Sequence, residues 1–424
     1  MDIERPRAER HREIESILGA KGDGVVPTRD LADKYTVLGA AGRETYANWL
    51  TPIEEHFVCH RNDIPDAEAD SWTVSLTGEV EGSLTVAAVR EAYPRVAVAH
   101  TMECAGNGRG QHDPETGSVQ WGYEAAGTAV WTGTPVGSVL REHGVEEPDA
   151  SDERDDRWLT AIGGDPSEAG DVFARSIPLS KAFEDCILAY EMNGRALPRE
   201  HGFPVRLIVP GWYGVNNVKW VEELRVMDSM VTEGSLDRPG IHAHWQQVSY
   251  RIHPRGVDPE ENATVGTVDT WEGIEGAVEH PYTFDLNVMS LVGTPDGETP
   301  VVPNDDAVEV RGVAWAGDDA VERVEISTDD GETWADAELF GPDYTGAWRL
   351  FRYEWDADPG THRILSRATD ELGRRQPERI SGPDAWRDAL EADAYPWNDG
   401  GFAANAYRPN GVTVEVGNEA VNDG

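Results

Sequence analysis

The pattern of apolar residues changes near residue 235, and this change constrains the fold more than any other feature of the chain. Before it, helix and strand signals alternate irregularly. Thr134–Gly144 has a capping threonine, a proline at the first helical position and a terminal glycine, which predict a helix. Trp72–Val80 alternates like a strand, Ser83–Tyr93 has the pattern of a capped helix, and Pro204–Pro210 is a compact apolar strand. The mixture predicts an α+β domain.

After residue 235 only short strand patterns recur. Asp330 and Gly331 stand between two of them and are typical of a hairpin turn. Short strands separated by turn residues predict an all-β, immunoglobulin-like sandwich. The predicted strands are Phe284–Leu291, Ala307–Trp315, Val321–Ser327, Thr333–Leu339, Trp348–Trp355, Thr361–Thr369 and Val412–Val416.

These patterns divide the chain into four parts. Residues 1–45 are polar and are predicted to form an N-terminal arm with a short helix near Arg5–Leu18. Residues 46–235 form the α+β domain. Residues 236–278, rich in His, Gly, Pro and acidic side chains, are a connecting segment, and residues 279–424 form the sandwich. A chain of 424 residues is long enough for two such domains, each with its own core.

Acidic residues dominate the composition. Asp and Glu number 79 against 36 Lys and Arg, which gives a formal net charge of −43. At ordinary ionic strength this like charge repels itself, whereas in molar salt the Debye length falls to about 3 Å. Only four of the basic residues are lysines, whose long stems offer apolar surface that strong salt drives together. We therefore predict adaptation to a salty cytoplasm; an acidic surface made for one cationic partner is the alternative.

The composition also excludes several classes of protein. The three cysteines are too few and too scattered for a disulfide framework, and no pair has zinc or haem spacing. The first residues lack a secretion signal, and no run approaches the ~20 apolar residues that a membrane helix needs. No basic stripe is present to neutralise the phosphates of a nucleic acid. We expect a cytoplasmic protein with reduced thiols that binds neither membrane nor nucleic acid.

The segment His100–Gly110, HTMECAGNGRG, carries the strongest functional signal. Cys104 is followed by a run of Ala, Gly, Asn and Arg that is too flexible and polar for a core element. Glycines let the backbone approach a bulky ligand closely. Arg109 brings a positive charge that lowers the pKa of a nearby thiol and attracts anions. A functional cysteine, either a nucleophile or a soft-metal ligand, is favoured over a cysteine that only fills space.

CAGN followed by an arginine resembles the loop that supplies the molybdenum ligand in sulfite oxidases and assimilatory nitrate reductases. Other segments resemble this family in the family's own order: His56–Pro65, Trp121–Trp131, Ser176–Leu179, Leu188–Gly194, Leu197–Pro210, Asn217–Trp220 and Ser327–Trp334. On this resemblance the chain is identified as a member of the sulfite oxidase family of molybdopterin-dependent oxidoreductases, of an acidic, haloarchaeal type. The resemblance implies a molybdopterin-binding domain followed by a domain through which the chain forms a homodimer.

The resemblance also implies roles for the matching residues. Cys104 is expected to be the thiolate ligand of molybdenum, because a soft sulfur donor suits this metal. The residues expected to hold the pterin and its phosphate are Arg61, Asn62, Asp165, His201, Arg206, Asn217, Val218 and Lys219. For His201 and Arg206 the alternative is a structural ion-pair cluster. The composition favours a binding role for Lys219, because the chain has only four lysines.

The resemblance implies an anion pocket formed by Arg61, Arg109 and Tyr250. Guanidinium groups suit oxyanions such as sulfite, and a tyrosine hydroxyl can hydrogen-bond to a substrate oxygen; a buried packing role is the alternative for Tyr250. Sulfite oxidases carry a further pocket arginine in a tail motif that corresponds here to Trp397–Tyr407. The matching residue in this chain is Gly400. Either another arginine compensates, or the pocket takes a substrate of lower charge.

The expected activity is therefore oxidation of sulfite to sulfate at molybdenum, with electrons passed to an external acceptor. Nothing in the chain resembles the family's separate haem module, so haem is not expected. One alternative is a relative that acts on another small oxyanion or on an S- or N-oxide, for example with a nitrate-reductase-like activity. Another is a non-catalytic interaction protein. A zinc site at His242, His244 and His253 is disfavoured, because no carboxylate or cysteine stands at a recognisable spacing.

Overall fold

The fold is that of a computed structural model. It describes residues 25–27, 37–149, 157–165, 171–231, 234–237, 246, 250, 284–303, 307–382, 393–395, 397–398 and 400–417. These residues form a mixed unit in the first part of the chain and an all-β unit in the second. Within these ranges no helix has both the length and the apolar character needed to cross a membrane.

The first unit contains short strands and short helices. The strands are β1 (Val25–Pro27), β2 (Val37–Ala41), β3 (Val58–His60), β4 (Thr73–Gly78), β5 (Gly82–Thr85), β6 (Val96–Glu103), β7 (Ala126–Pro135), β8 (Trp158–Gly163), β9 (Ala174–Pro178), β10 (Ile187–Met192), β11 (Arg195–Ala196), β12 (Arg206–Ile208) and β13 (Val221–Met227). The helices are α1 (Val86–Ala92), α2 (Val136–Glu142) and α3 (Leu179–Glu184).

Two five-stranded sheets form the centre of this unit. One has the order β11-β10-β7-β6 with β12 paired to β10, and the other has the order β5-β4-β13-β8-β9. The main apolar core takes side chains from both sheets and from the helices, for example Leu76 on β4, Leu140 on α2 and Leu188 on β10. Each such side chain contributes about 1.5–3 kcal/mol when it is fully buried. The predicted α+β architecture is confirmed.

The predicted helix over Ser83–Tyr93 is wrong in its first residues. Strand β5 occupies this stretch up to Thr85 and pairs antiparallel with β4. Helix α1 begins only after Thr85, because the Thr85 side chain accepts a hydrogen bond from the backbone N–H of Ala88 at 3.1 Å and so caps the first turn. The start of the helix is therefore set by this cap.

The second unit is a sandwich of two four-stranded sheets. Its strands are β14 (Met289–Thr294), β15 (Ala307–Trp315), β16 (Val321–Ser327), β17 (Ala335–Asp336), β18 (Glu338–Phe340), β19 (Arg349–Asp356), β20 (Gly360–Asp370), β21 (Arg379–Ile380), β22 (Ala394–Tyr395) and β23 (Val412–Val416). Sheet β14-β15-β19-β18 packs on sheet β17-β16-β20-β23 through a core that includes Val310, Val324, Phe351 and Ile364. The predicted all-β sandwich is confirmed.

Two of the predicted strands in this unit differ from the structure. Phe284 lies before β14 instead of inside a strand, because its ring stacks on Trp212 of the first unit at 4.3 Å. The predicted strand Thr333–Leu339 is divided into β17 and β18, which pair with β16 and β19 and so belong to opposite sheets. The turn at Asp330 and Gly331 has φ values of 59° and 89°, as the predicted hairpin requires.

The junction between the units is held by aromatic side chains. Tyr46 is fully buried, its hydroxyl donates to the Tyr123 carbonyl at 2.7 Å, and its ring lies 5.8 Å from that of Trp348 in the sandwich. The indole N–H groups of Trp49 and Trp348 donate to each other's carbonyl oxygens at 3.2 and 2.7 Å. These contacts fix the sandwich against the first unit.

The end of the predicted arm belongs to the first unit. Residues 37–41 form β2, which pairs antiparallel with β3. The predicted helix near Arg5–Leu18 and nearly all of the connecting segment 236–278 lie outside the described residues.

The charge of the chain leads to a prediction on stability. We expect the melting temperature of the purified protein to rise steadily between 0.1 and 2 M KCl, because shortening the Debye length from about 10 Å to about 3 Å or less screens the repulsion among carboxylates. Sucrose at matched osmolarity, which screens no charge, is the control. A melting temperature that is independent of KCl, or that rises equally in sucrose, would contradict the salt adaptation.

Candidate functional site

A cleft in the first unit gathers most of the predicted site residues. Its walls come from β3, from the end of β6, from β9, and from the loops on either side of β12. The predicted residues that line it are Cys104, Arg61, Arg109, Tyr250, Asp165, His201, Arg206, Asn217 and Lys219. Further lining residues include Cys59, His60, Trp121, Phe173, Arg175 and Phe402.

Cys104 is held at the base of this cleft by the loop that follows β6. Its backbone N–H donates to the Ala125 carbonyl at 2.8 Å, and its carbonyl accepts from the N–H of Asn107 at 2.8 Å. The Asn107 amide donates to the Glu103 carboxylate at 3.0 Å and accepts from the N–H of Ala125 at 3.1 Å. Glu103 also accepts from the indole N–H of Trp315 at 3.0 Å. The loop is therefore tied both to its own sheet and to the sandwich.

A second thiol lies beside Cys104. A hydrogen bond from Cys59, followed by the positive charge of Arg109, lowers the pKa of Cys104. The same hydrogen bond and burial raise the pKa of Cys59. Cys59 was not predicted as a site residue, although it stands inside the segment His56–Pro65 and is one of only three cysteines. The arrangement favours the thiolate form at Cys104, which is the form that binds a soft metal.

Arg206 also lines the cleft. Its two terminal nitrogens donate to the carbonyls of His201 and Asn217, each at 3.0 Å. Its Nε is buried and has no hydrogen-bond partner among the described residues. Burial lowers the pKa of Arg206 to about 9. The guanidinium therefore stays charged at neutral pH and keeps one N–H to offer.

Lys219 places a second cation close to Arg206. Its ammonium group donates to the carbonyls of Cys59 at 3.1 Å and Glu200 at 3.3 Å. Burial, and then the charge of Arg206, lower the pKa of Lys219 to about 7. A charged guanidinium beside an amine that protonates near neutral pH favours the binding of an anionic group such as a phosphate.

Asp165 supplies the opposite charge at the edge of the cleft. One of its oxygens accepts from the Asn62 amide at 2.9 Å, whereas Oδ1 is buried and has no hydrogen-bond partner among the described residues. Burial raises the pKa of Asp165 to about 6. The oxygen Oδ1 is thus an acceptor available to the N–H groups of a ligand. Asn62 does not line the cleft and acts through Asp165.

Two of the predicted cofactor residues are used differently from the others. The side chain of Val218 is fully buried in the main apolar core and does not line the cleft, so only its backbone can face a ligand. The Asn217 amide accepts from the N–H of Val209 at 2.7 Å and donates to the Tyr213 carbonyl at 3.0 Å. Asn217 therefore shapes the loop, and the side chain has little capacity left for a ligand.

The predicted anion pocket lies near Cys104. Arg109 is nearly fully buried, and its Nε and one terminal nitrogen donate to the carbonyls of Gly400 at 2.7 Å and Val119 at 2.9 Å. The ring of Tyr250 stacks on that of Phe402 with the centroids 4.5 Å apart. Arg61 is partly exposed at the wall of the same cleft. The structure brings together all the residues predicted for this pocket.

Arg175 was missed by the sequence analysis. It lies on β9 immediately before the segment Ser176–Leu179, its side chain is fully buried, and it lines the cleft. A sequence signal existed, since an arginine between the apolar residues of VFARSIPL is unusual for a buried strand.

The residues of the cleft fit a molybdenum–pterin group. Cys104 offers one soft sulfur donor, and Arg206 and Lys219, which lie close together, suit a phosphate. The buried Nε of Arg206 and Oδ1 of Asp165 have no hydrogen-bond partner among the described residues, so both atoms can bind a ligand. In the same part of the chain no three His, Cys, Asp or Glu side chains converge on one point, as a zinc site would require. The three histidines considered for zinc lie outside it.

The anchoring of the Cys104 loop leads to a stability prediction. Glu103→Ala leaves the Asn107 amide and the Trp315 indole N–H buried without their acceptor. We expect the free energy of unfolding to fall by about 2–4 kcal/mol, as measured by urea titration. Glu338→Ala, which removes an exposed partner of Arg352, is the control and is expected to change the free energy of unfolding much less. Equal losses in both variants would contradict the buried clamp.

Lys219 leads to a prediction on pH. Its folded-state pKa of about 7 lies below the usual 10.5, so the unfolded chain binds more protons between these values and stability rises with pH in that window. In cofactor-free protein, Lys219→Met removes this effect. We expect the variant to be more stable than the wild type at pH 6, and we expect this advantage to be clearly smaller at pH 9, as measured by urea unfolding.

Lys181→Met is the matched control for this measurement. The Lys181 ammonium group donates to the carboxylates of Asp185 and Asp318, each at 2.9 Å, so its removal should destabilise the protein at both pH values. A Lys219→Met variant that is destabilised equally at pH 6 and pH 9 would show that the cleft does not disfavour the charge.

Comparisons with known proteins agree with this site. Residues 61–234 match the oxidoreductase molybdopterin binding domain, and residues 280–386 match the Mo-co oxidoreductase dimerisation domain. The sulfite oxidase of Gallus gallus is 32% identical over 347 residues, which cover 78% of this chain and 69% of the relative. The mitochondrial sulfite oxidase of Rattus norvegicus is 29% identical over 384 residues, which cover 87% of this chain but 62% of the relative.

The fold also agrees with a solved structure. The sulfane dehydrogenase SoxCD from Paracoccus pantotrophus superposes with a TM-score of 0.69 over 96% of this chain and 92% of that chain, at 24% identity. The agreement extends over both units. The chain therefore belongs to the sulfite oxidase family of molybdopterin-dependent oxidoreductases.

Proposed function

We propose that this chain is a molybdenum-dependent oxidoreductase that oxidises sulfite to sulfate. The observation that carries the proposal is the Cys104 thiol, which lines one cleft together with four basic side chains, Arg61, Arg109, Arg206 and Lys219. Such a cleft offers a soft sulfur donor for a metal and basic groups for the anionic parts of a pterin and of a small substrate. A non-catalytic interaction protein would not need to bury cations around a thiol.

The proposed reaction converts sulfite and water into sulfate, two protons and two electrons. Molybdenum, when bound, provides the redox centre at which the oxygen atom is transferred. We propose that Cys104 holds the metal and that Arg206, Lys219 and Asp165 hold the pterin. We also propose that the electrons pass to an external acceptor. Two copies of the chain would associate through the sandwich domain.

The protein's contribution to the reaction is electrostatic and positional. Arg61 and Arg109 attract the anion, and the charge of the nearly fully buried Arg109 acts with less screening than a charge at the surface. The Tyr250 hydroxyl donates a hydrogen bond to an oxygen of the anion, and its stacking on Phe402 fixes the direction of that bond. Strong local attraction is needed, because a protein of net charge −43 repels sulfite at a distance.

A second candidate is a related reaction on an oxyanion of lower charge, such as nitrate, or on an S- or N-oxide. The observation in its favour is Gly400, which stands where the resemblance places a further pocket arginine. A pocket with one guanidinium fewer holds a doubly charged anion less well.

Sulfite-dependent reduction of ferricyanide by molybdenum-loaded protein in molar KCl tests the proposal. We expect turnover by the wild type, loss of turnover to background in Cys104→Ala, and retained turnover in Cys186→Ala, whose cysteine is buried in the main core away from the cleft. Full activity of Cys104→Ala would contradict the metal-ligand role. A wild type that carries molybdenum but does not oxidise sulfite would favour the second candidate.

A further inference from the structure

Near the end of the chain, the apolar Phe402 lines the anion pocket, and Gly400 stands where the resemblance to sulfite oxidases places an arginine. A Cβ atom on Gly400 would lie 2.1 Å from the ring of Phe402, so this conformation leaves no room for a side chain there. The Gly400 carbonyl accepts from Arg109, and the Phe402 ring lies against both Arg109 and Tyr250. Any third guanidinium in the pocket must therefore come from another part of the fold.

Arg175 reaches the same place from β9. Its guanidinium carbon lies 4.1 Å from the ring centroid of Phe173 and 5.3 Å from that of Tyr250. One terminal nitrogen donates to the Ala174 carbonyl at 2.6 Å, and the nearby Tyr250 favours the charged form of the guanidinium electrostatically. Two aromatic rings and the hydrogen bond to Ala174 thus hold the planar group in one orientation beside the tyrosine that is proposed to contact the substrate.

The charge of Arg175 persists although the side chain is fully buried. Burial lowers the pKa to about 10, while Tyr250, Asp171 and Asp165 oppose this shift. The group therefore remains protonated at neutral pH. Arg175 and Arg109 both act on the Tyr250 hydroxyl electrostatically, as does Cys104. Tyr250 consequently stands among two guanidinium groups and the proposed metal ligand.

We propose that Arg175 takes the place of the arginine missing at Gly400 and binds an oxygen of the substrate together with Arg61 and Arg109. The inference rests on the proposed function and narrows it. Three guanidinium groups around one small pocket suit a doubly charged oxyanion of the sulfite type, whose charge offsets the cost of burying them. Arg175 is thus a residue that determines substrate charge, supplied by the molybdopterin-binding domain.

Arg175→Met tests this inference. Methionine keeps an apolar stem beside Phe173 but removes the charge and the donors. At a fixed KCl concentration we expect the KM for sulfite to rise about 10- to 100-fold with kcat changed much less, because a hydrogen-bonded charge contributes roughly that factor to anion binding. The affinity of the resting holoenzyme for sulfate, measured by calorimetry, should fall by a similar factor. Molybdenum content should stay at the wild-type level.

Arg367→Met is the matched control. Arg367 also stacks on an aromatic ring, with its guanidinium carbon 3.9 Å from the centroid of Trp334, and is largely buried in the sandwich, but it does not line the cleft. We expect sulfite KM and sulfate affinity in this variant to equal those of the wild type. An equal loss in both variants would mean that Arg175 serves stability alone and would overturn the proposal.

Arg175→Lys keeps the test decisive if the methionine variant does not fold or does not hold molybdenum. Lysine preserves the charge but not the planar fork, so sulfate affinity is expected to fall, though by less than in Arg175→Met. Wild-type sulfate affinity in Arg175→Lys would overturn the proposal. If the wild type does not oxidise sulfite, the proposed function fails, while a sulfate affinity that depends on Arg175 would still support the anion-binding role.

Discussion

The burial of several positive charges in one cleft is the constraint on which the proposed chemistry depends. Arg109, Arg175 and Arg206 are almost completely buried, and Lys219 lies close to Arg206. Removing these groups from water is costly unless an anion or a good set of acceptors compensates. Backbone carbonyls satisfy part of their hydrogen-bonding capacity, and anionic ligands are the natural source of the remainder. The cleft is therefore positive inside a protein whose net charge is −43.

The cleft also depends on both units of the chain. Glu103 joins the Cys104 loop to Trp315 of the sandwich, and Gly400 and Phe402, near the end of the chain, form part of the pocket wall. The all-β domain thus shapes the site in addition to any role in dimer formation. A change in the sandwich that moves Trp315 or Phe402 is expected to displace the Cys104 loop or the wall of the anion pocket.

Local motifs made much of this site predictable from the sequence. The residue types around Cys104 indicate a functional cysteine, the roles of Arg206 and Lys219 were predicted through the family resemblance, and helix α2 was predictable from its end signals. Other features depend on contacts that no local pattern records. Arg175 meets Tyr250 only when β9 folds against a residue far along the chain. Phe284 lies outside its predicted strand, and its ring stacks on Trp212 of the other unit.

Short strands show the same limit. Alternating residues predict a strand but not the sheet to which it belongs, so one predicted strand near residue 336 is in fact two strands in opposite sheets. Val218 shows the reverse case, since it lies within a matching motif while its side chain packs in the core. The residues flanking it, Asn217 and Lys219, face the cleft, as alternation along an extended segment predicts.

X-ray absorption at the molybdenum edge tests the central claim most directly, because it counts the sulfur atoms bound to the metal. We expect purified holoenzyme to contain molybdenum and to lose one sulfur ligand in Cys104→Ser, while Cys59→Ser keeps the wild-type count. A sulfur count that is unchanged in Cys104→Ser, or one that falls only in Cys59→Ser, would contradict the assignment of Cys104 as the ligand around which the cleft is built.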